Sequence, residues 1–365
     1  GVDGGIAVTA SHNPADYNGM KLVQRGAVPI SGDSGLREVE ALAANTSGKQ
    51  AARTARRGGS EQMDVWPAYI EHLLSYVDAK TLAPLKVVAN AGNGCAGLVV
   101  DRLEPRLPLS FVKLMNDPDG RFPNGVPNPI LVENHAVTAD AVRREQAALG
   151  LAWDGDHDRC FFFDETGAFV EGYYMVGLFA VELLRAHQGA AVIHDPRLVW
   201  NTIDLVTAAG GRPVMSKTGH AFIKERMRRE NAVYGGEMSA HHYFRDFAYC
   251  DSGMIPWLLL AQTMSRTGKT LGQLVADMQR RYPASGEINL KLADAKVALA
   301  KVRAAFAGDA VSIDETDGIS IEHARWRVNV RASNTEPVVR VNVETRGDEA
   351  LMRERTEAVL AVLRA

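Results

Sequence analysis

The sequence is poor in the residues that mark several large classes of protein. Only three cysteines occur in 365 residues. Their positions, 95, 160 and 250, lack the spacing of zinc sites or disulfide frameworks. We expect all three to be buried, reduced thiols, as is typical of a cytoplasmic protein. The longest nearly uncharged apolar run, residues 254–260, is far shorter than the roughly 20 residues of a membrane-spanning helix.

An excess of charge of one sign is also missing. The chain has 41 lysine and arginine residues against 44 aspartate and glutamate residues, for a net charge of -3. No basic cluster marks a nucleic-acid surface, so we expect a small-molecule partner, no nucleic acid and no membrane. What is present is a hydrophobic share of 46% and a charged share of 23%, which are typical of a folded globular protein.

The length and the pattern of elements predict several domains, because 365 residues exceed one compact core. Strands and helices alternate through residues 63–282, which predicts parallel α/β structure. Two alternating strands at 326–330 and 338–343, followed by a C-terminal helix, predict an α+β unit. A segment rich in Ala, Arg, Gly and Ser at 45–59 predicts a linker. We divide the chain into domains at residues 1–62, 63–168, 169–282 and 283–365.

Three aspartates follow a predicted buried strand at alternate positions: Asp154, Asp156 and Asp158. Extended backbone would direct all three carboxylates to one point, where oxygen ligands favour a hard cation such as Mg²⁺. A solvated acidic turn is the simpler interpretation. A calcium-binding EF-hand is excluded, because Arg159 stands where glycine is needed and strands flank the loop. An aspartyl-phosphate enzyme with Asp154 as nucleophile and Asp156 as acid/base remains a weaker alternative.

The glycines at 92–97 form a G-x-G-x-x-G pattern after a predicted strand, with Asp117 about twenty residues further on. This pattern is typical of dinucleotide binding, so an NAD-dependent oxidoreductase is an alternative function. A tight turn that needs the conformational freedom of glycine explains the same residues. No residue nearby supplies a partner for hydride chemistry.

Three further polar segments allow two interpretations each. Residues 331–337 join two predicted strands and offer a guanidinium, hydroxyls, an amide and backbone N–H groups, which suit a phosphate or form a polar turn. Glu237 and Ser239 would hydrogen-bond sugar hydroxyls or belong to an ordinary loop. Ser11 and His12 lack the G-x-S-x-G setting of hydrolases, so alone they indicate turn chemistry.

Four segments taken together resemble the active-site loops of the α-D-phosphohexomutase superfamily. The resemblance implies four domains around a central cleft, three of them α/β with mixed sheets and the C-terminal one α+β. The third segment is similar to that of the bacterial phosphomannomutase/phosphoglucomutase branch. Phosphoglucosamine mutases, which remain an alternative, carry Gln in place of Met238. The four segments are T-A-S-H-N-P at 9–14, D-G-D-H-D-R at 154–159, G-E-M-S at 236–239 and R-A-S-N-T at 331–335.

The resemblance also implies a reaction. The family interconverts hexose 1-phosphates and hexose 6-phosphates of glucose or mannose, an isomerase reaction that supplies nucleotide-sugar and exopolysaccharide precursors. Ser11 would carry a phosphoryl group, and Mg²⁺ would be held by Asp154, Asp156, Asp158 and an oxygen of that phosphate. Glucose 1,6-bisphosphate would be the intermediate and activator. We expect a cytoplasmic monomer that acts on hexose phosphates.

Phosphoryl transfer needs charge neutralisation, and this points to further residues. Arg159 would stabilise the transferring group, and Lys21 would be the general acid/base if neighbouring cations lower its pKa, with His12 and His220 as weaker candidates. Arg197 stands where this branch usually has lysine. The expected substrate-binding residues are Arg197, Lys217, Gly219, Glu237, Ser239, His241, Arg331, Ser333, Asn334 and Thr335. The last four of these would hold the phosphate that does not react.

The beginning of the chain is short for this superfamily. Only ten residues precede Ser11, and the chain begins at Gly1 without a methionine. The first domain normally has on the order of a hundred residues before its phosphoserine, enough for a full α/β layer. We therefore expect most of domain 1 to be absent, and these 365 residues alone to have little mutase activity.

Overall fold

The computed structural model describes residues 2–46, 58–292, 294–333 and 338–365. Most of the predicted linker, residues 47–57, lies outside these ranges, and so do the predicted phosphate-binding residues Asn334 and Thr335. Within the described ranges, none of the helices combines the length and the apolar character needed to cross a bilayer.

The N-terminal residues form a small antiparallel sheet beside one helix. Ile6 and Leu22 are paired across its first two strands, and the chain between these strands contains Ser11. The hairpin therefore presents the predicted phosphoserine loop at one end of the sheet. Helix α1 covers Arg37–Thr46, and the strands in sheet order are β1 (Gly4–Val8), β2 (Met20–Gln24) and β3 (Val28–Pro29).

The second unit is a five-stranded mixed sheet with the order β5-β4-β6-β7-β8. Its elements along the chain are α2 (Trp66–Leu74), β4 (Lys86–Asn90), α3 (Ala96–Leu103), β5 (Ser110–Leu114), α4 (His135–Glu145), β6 (Leu149–Trp153), β7 (Cys160–Phe163) and β8 (Phe169–Val170). The first three strands of the sheet run parallel to one another. Strand β7 is antiparallel to β6, and β8 is antiparallel to β7. The parallel α/β structure predicted from the alternation is confirmed for β4, β5 and β6, and the sheet is mixed because the short loop 154–159 permits only an antiparallel return.

The third unit is also a mixed sheet, with the order β10-β9-β11-β12-β13. Its elements are α5 (Gly172–Leu184), β9 (Ala191–His194), α6 (Trp200–Ala208), β10 (Arg212–Met215), α7 (His220–Glu230), β11 (Tyr234–Gly236), β12 (His242–Phe244), β13 (Cys250–Asp251), α8 (Ile255–Thr267) and α9 (Leu271–Arg281). The mixed sheets implied by the resemblance are thus confirmed.

The C-terminal unit is an antiparallel sheet with two helices, which confirms the expected α+β class. Its strand order is β14-β18-β17-β16-β15. The elements are β14 (Ile288–Leu290), α10 (Ala295–Phe306), β15 (Ser312–Asp314), β16 (Ile319–Glu322), β17 (Trp326–Ala332), β18 (Val339–Thr345) and α11 (Glu349–Arg364).

The second and third units repeat one another element by element, and their polar loops meet. In each sheet the third strand, β6 or β11, is followed by a polar loop and an antiparallel strand, β7 or β12. An isolated antiparallel bridge joins Arg159, the residue before β7, to His241, the residue before β12. The loop with the three aspartates therefore contacts the loop with the predicted sugar ligands.

One hydrophobic core runs through the second and third units. The buried Trp153 in β6 donates its indole N–H to the carbonyl of Gly253 at 2.8 Å. Phe111 meets Trp257 edge-on, with ring centroids 5.8 Å apart. The predicted boundary at residue 168 thus divides the sequence but does not divide this core.

The polar face of the β17–β18 hairpin is buried against the third unit. Glu344 in β18 is fully buried and accepts hydrogen bonds from the Tyr173 hydroxyl at 2.5 Å and the Val199 amide at 2.9 Å. Arg327 in β17 donates to the carbonyl oxygens of Pro196 at 2.6 Å and Arg197 at 2.8 Å. These bonds hold the loop before α6 in place.

The three cysteines are free thiols, but only Cys160 is buried. Cys95 is exposed and Cys250 is half-buried, so the expectation of three buried thiols is wrong for these two. Cys95 lies at the turn that precedes α3, where the chain runs close to the surface.

Candidate active site

Ser11 lies directly against the acidic loop of the second unit. Its Oγ donates to Oδ2 of Asp154 at 2.9 Å and lies 3.0 Å from Nδ1 of His12. Burial and the neighbouring Arg159 lower the pKa of His12 to about 4, so its imidazole is neutral, and Arg159 donates to the same Nδ1. The serine hydroxyl therefore has two acceptors within reach.

A glycine makes this close approach possible. A Cβ on Gly155 would lie 2.3 Å from the backbone oxygen of Ser11, a distance that real Cβ atoms do not reach. The hydroxyl of Thr9 adds a second link, because it donates to Oδ2 of Asp156 at 2.8 Å. The serine loop and the acidic loop thus pack backbone to backbone.

The three aspartates of the loop come together as predicted. One carboxylate oxygen from each of Asp154, Asp156 and Asp158 lies within 4.8 Å of the others. Asp154 is fully buried, and burial raises the pKa of its carboxyl to about 6 although Arg159 donates to it from Nε at 2.8 Å. Asp156 has a buried Oδ1 with no hydrogen-bond partner among the described residues, whereas Oδ1 of Asp158 faces Nε2 of His241 at 3.6 Å. An orphaned carboxylate oxygen such as that of Asp156 fits a hard cation.

Lys21 in β2 bridges two of these carboxylates. Its Nζ lies 3.1 Å from Oδ2 of Asp156 and 2.6 Å from Oδ2 of Asp158. Burial alone would lower the pKa of the ammonium, but the two carboxylates outweigh it and the pKa is raised. The general acid/base role expected for Lys21 depended on neighbouring cations that lower its pKa. Among the described residues its nearest charged groups are the anions Asp156 and Asp158, so the acid/base role of Lys21 stays a prediction.

His241 connects the acidic loop to the sugar loop. Its Nε2 lies 3.6 Å from Oδ1 of Asp158, and its Nδ1 lies 3.4 Å from Oε2 of Glu237. Burial opposes the charged form, but the two carboxylates raise the pKa of His241 to about 10. The side chain is therefore an imidazolium held between two anions.

Glu237 is buried and both of its carboxylate oxygens have donors. Oε1 accepts from the Gly219 amide at 2.9 Å, and Oε2 accepts from the Tyr243 hydroxyl at 2.5 Å. Its pKa lies below the usual range despite burial, because His241 and Arg197 favour the charged form. Gly219 and Glu237 are thus brought together as expected, and Tyr243 is a member of the site that the sequence reasoning missed.

Arg197 is fully buried and joins several loops. Its guanidinium donates to Oδ2 of Asp195 at 2.7 Å, to Oε2 of Glu287 at 3.1 Å and to Oγ of Ser239 at 3.2 Å. Asp195 also accepts from the Met238 amide at 2.9 Å. The sequence marked Arg197 and Ser239 but missed Asp195 and Glu287.

The described part of the predicted phosphate loop begins at Arg331. Its guanidinium lies 3.3 Å from Oε2 of Glu287, and burial together with the charge of Arg197 lowers its pKa. The Ser333 amide donates to the carbonyl of Val338 at 2.9 Å. Arg331 therefore lies near Arg197, because both pair with Glu287, whereas Asn334 and Thr335 lie outside the described residues.

Two other predicted site residues, His220 and Lys217, lie around α7. His220 is the first residue of that helix, and burial and the nearby Lys224 lower its pKa. The ammonium of Lys217 lies 5.8 Å from the centre of the Phe222 ring. It forms no ion pair with a described residue, so the structure does not join Lys217 to the other site residues.

The glycines at 92–97 are explained by packing. A Cβ on Gly97 would lie 1.9 Å from the carbonyl oxygen of Asn116, and one on Gly94 would lie 2.7 Å from the carbonyl oxygen of Gly155. Because these glycines have no Cβ, the turn can pack closely against the loops beside it. The dinucleotide-binding alternative is therefore not favoured.

Phosphoryl transfer depends on neutralising charge rather than on covalent help from the protein. The described loops supply charged groups of both signs. The carboxylates lie beside a serine, and the arginines lie beside the side chains that we expect to accept hydrogen bonds from sugar hydroxyls. The fold and the site define a sugar-phosphate mutase, an isomerase that moves a phosphoryl group on a hexose.

The chain belongs to the phosphoglucomutase/phosphomannomutase family. Its α/β/α domains I, II and III match residues 1–49, 67–167 and 171–282, and its C-terminal domain matches 287–361. A phosphomannomutase of Salmonella montevideo is 60% identical over the whole chain, which covers 80% of that protein. A protein named phosphohexose mutases from Xanthomonas campestris pv. campestris is 57% identical over 99% of this chain, and the match covers 80% of that protein.

Solved structures agree with this membership. A phosphoglucomutase/phosphomannomutase family protein from Burkholderia thailandensis has a TM-score of 0.85 and 32% identity, covering 100% of this chain and 76% of that one. A phosphoglucomutase of Paramecium, at 15% identity and a TM-score of 0.79 over 99% of this chain and 77% of that one, shares the fold. The family uses a metal ion, which the acidic loop could hold. The oxidoreductase, phosphoglucosamine mutase and aspartyl-phosphate alternatives are not favoured.

Proposed function

We propose that this protein interconverts the 1-phosphate and the 6-phosphate of mannose, glucose or both. The relatives named phosphomannomutase and the family description support this substrate class. We also propose that the chain divides into units at 1–62, 63–168, 169–282 and 283–365, each supplying one loop to the site. One sheet in each unit, with a polar loop at its edge, supports that division.

Ser11 is the phosphoryl carrier in this proposal. The single observation that carries it is the bond of 2.9 Å from Ser11 Oγ to Asp154, because it places a nucleophilic oxygen at the acidic group. In the forward half-reaction the bond between Oγ and phosphorus breaks as a hexose hydroxyl oxygen bonds to phosphorus, and the proton of that hydroxyl passes to the Ser11 oxygen that leaves. The resulting hexose 1,6-bisphosphate, which for glucose is also the activator, returns its other phosphoryl group to Ser11.

The metal ion in this proposal is Mg²⁺, held by Asp154, Asp156, Asp158 and an oxygen of phosphorylated Ser11. An all-oxygen ligand set without cysteine or histidine supports a hard cation. When bound, Mg²⁺ supplies positive charge that stabilises the phosphoryl oxygens.

Arg159 and Lys21 act on the reacting group. Arg159 is bonded to Asp154 through Nε and to His12 through its terminal nitrogen, so its charge lies beside Ser11. Lys21 is the general acid/base in this proposal, because a cation bound by Asp156 and Asp158 would lie beside its ammonium group. His12 and His220 are weaker candidates. The Nδ1 of His12 lies 3.0 Å from Ser11 Oγ but already accepts from Arg159.

The substrate is held by the loops of the third and fourth units. In this proposal Glu237 and Ser239 bond the sugar hydroxyls, with Gly219, His241 and Arg197 orienting these two side chains. Lys217 adds positive charge from the loop before α7. The phosphate that does not react is held by Arg331, Ser333, Asn334 and Thr335.

We propose that the enzyme acts as a monomer in the cytoplasm. All of the loops assigned to the site come from one chain, so no partner subunit is needed to complete it. The free thiols Cys95, Cys160 and Cys250 suit a reducing compartment. Light scattering on the purified protein tests the monomer, since a concentration-independent dimer mass would contradict it.

Replacement of Ser11 tests the mechanism. After incubation with glucose 1,6-bisphosphate, intact-mass analysis should show one added phosphoryl group on the unchanged protein and none on Ser11→Ala, whose mutase activity should fall by about a thousandfold or more. Ser34→Ala, in the same unit, is the matched control and should be phosphorylated normally. Mutase activity of Ser11→Ala at the unchanged level would refute the proposal.

A further inference from the structure

One arginine of α7 joins two turns of the chain that are far apart in sequence. The terminal nitrogen Nη2 of Arg228 donates to the carbonyl oxygens of Gly26 and Ala27, each at 3.1 Å. The same nitrogen donates to the carbonyl oxygen of Ala248 at 2.8 Å. The first two carbonyls lie in the turn between β2 and β3, and the third lies in the turn before β13. Arg228 therefore connects the N-terminal sheet to the third unit.

Both turns adopt backbone conformations that a side chain disfavours. The angle φ is +57° at Ala27, +54° at Ala248 and +60° at Tyr249. In this left-handed region the Cβ crowds the backbone, so such turns persist where other contacts hold them. The carbonyl bonds of Arg228 supply such contacts, and its guanidinium carbon also lies 4.8 Å from the centre of the Tyr249 ring, within the range of a cation–π interaction.

The first turn lies at the end of the strand that carries Lys21. Strand β2 covers Met20–Gln24, and the turn follows at 25–27. Strand β3 pairs with β2 and also packs against α7. Paired strands keep their relative positions better than loops do, so fixing this turn also fixes β2 and the β1–β2 hairpin, which contains Ser11.

The second turn leads to the acidic loop. Strand β13 follows Tyr249, and shortly after it the Gly253 amide donates to the carbonyl of His157 at 3.1 Å. A Cβ on Gly253 would lie 2.5 Å from that oxygen, so the two segments are in close contact. Arg228 thus joins two segments that each continue to the acidic loop.

The contacts at the other end of the N-terminal sheet depend on the state of Ser11. Its hydroxyl donates to Asp154 at 2.9 Å, and in the proposed mechanism a phosphoryl group replaces the proton of this bond. The bonds of Arg228 go to main-chain oxygens that take no part in the reaction. They are therefore present both before and after Ser11 is phosphorylated.

We propose that Arg228 is a positioning residue for phosphoryl transfer, which holds the N-terminal sheet against the third unit and so keeps Ser11 and Lys21 at the acidic loop. This inference rests on the proposed role of Ser11 as the phosphoryl carrier. A shift of about 1 Å at the reacting atoms can lower a rate by about a hundredfold. Loss of a remote contact that sets this position should therefore be visible in the rate of transfer.

The rate of Ser11 phosphorylation tests the positioning role. Dephosphorylated protein is mixed with Mg²⁺ and glucose 1,6-bisphosphate at several concentrations, and the added phosphoryl group is followed by intact-mass analysis over time. In Arg228→Met the maximal rate should fall by about tenfold or more while the half-saturating concentration changes by less than about twofold, because the substrate-binding loops belong to other units. Arg228→Lys keeps N–H donors for the same carbonyls, and its rate should lie in between.

Arg229→Met is the matched control. It removes the same charge from the same last turn of α7, but the Arg229 side chain is 63% exposed and lies 4.0 Å from Glu230. Its phosphorylation rate should be that of the unchanged protein. Hydrogen exchange adds a measurement that needs no turnover. Exchange in β1, in β2 and in the turn at 25–27 should be faster in Arg228→Met and unchanged in Arg229→Met.

A role in stability alone gives a different result. Arg228→Met would then melt at a lower temperature and exchange faster only at 245–251, while Ser11 is phosphorylated at the normal rate, and this result overturns the inference. Absence of phosphorylation in the unchanged protein contradicts the proposed function instead. Unchanged exchange of β1 and β2 in Arg228→Met overturns the inference in either case. If Arg228→Met does not fold, Arg228→Gln, which is neutral and shorter, replaces it and the same outcomes decide.

Discussion

The site has an acidic end and a basic end, and each contains an internal ion of the opposite charge. At the acidic end, Lys21 bonds the carboxylates of Asp156 and Asp158. At the basic end, Glu287 bonds the guanidinium groups of Arg331 and Arg340. A ligand at either end therefore meets groups that are already oriented by a counter-ion of the protein.

The origin of the two counter-ions differs. Lys21 comes from β2 of the N-terminal sheet, while the aspartates belong to the second unit, so the acidic end exists only where two sheets meet. Glu287, Arg331 and Arg340 lie on or next to neighbouring strands of one sheet, and Arg197 of the third unit donates to Glu287 from outside it. We conclude that changes at the acidic end act on the contact between units, and that changes at the basic end act mainly within one sheet.

The largest effect is expected at the acidic end. Asp156→Asn removes one of three carboxylates, and Mg²⁺ affinity measured by calorimetry should fall by more than about 100-fold, because even outer-shell changes cost 10–100-fold. Asp140→Asn, on the exposed surface of α4, is the control. An unchanged Mg²⁺ affinity in Asp156→Asn would show that this loop does not bind the metal ion.

The second effect is expected at the basic end. Arg331→Met should raise the KM for hexose phosphate by about 10–100-fold, the effect of losing charge-assisted hydrogen bonds. The rate constant kcat should change less, and Mg²⁺ affinity should not change, since the basic end is built within one sheet. A parallel loss of Mg²⁺ affinity would show that the two ends are not independent.

The pH dependence of stability should differ in sign between the ends, beginning with Glu287. Its neighbouring arginines lower the pKa of its carboxyl below the usual value of 4.5 for glutamate, although burial opposes this. Its contribution is therefore full above that value and is lost as the pH falls. The difference in unfolding free energy between the unchanged protein and Glu287→Gln should shrink on acidification in urea titrations. A difference that grows in acid would contradict the ion cluster.

The opposite pH dependence is expected from His241, which carries the positive charge between the two loops. Asp158 and Glu237 outweigh burial and raise its pKa from 6.5 to about 10. Its contribution is therefore full below pH 6.5 and is lost as the pH rises toward 10. In metal-free buffer, the stability advantage of the unchanged protein over His241→Gln should decrease across this window. A constant advantage would mean that His241 stabilises by packing alone.

Much of the fold was predictable because its strands carry clear local signals. The strands β4, β5, β6 and β9 lie within residues 63–282, where the sequence predicts alternating strands and helices. The antiparallel strands β8, β12 and β13 were missed, because they are two or three residues long. Such segments are too short for a period of two to be recognised.

The site was predictable where a motif concentrates its residues, as with Ser11 and the three aspartates. Asp195, Glu287 and Arg340 were missed because each lies outside the motifs and acts through partners distant in sequence. The polar positions in β17 and β18 show the physical reason. Their alternation indicates strands with a solvent-facing side, yet Asn329 and Asn342 are fully buried, since that side packs against the third unit.

The bridge between Arg159 and His241 relates the two loops by local two-fold symmetry. These residues hold equivalent places in sheets with the same strand order, and an antiparallel pair of equivalent positions is the contact that a rotation by half a turn generates. The second and third units thus meet through equivalent loops. One of these loops carries the three aspartates, and the other carries Glu237 and Ser239. A centre of this kind suits a substrate that must present its two ends in turn.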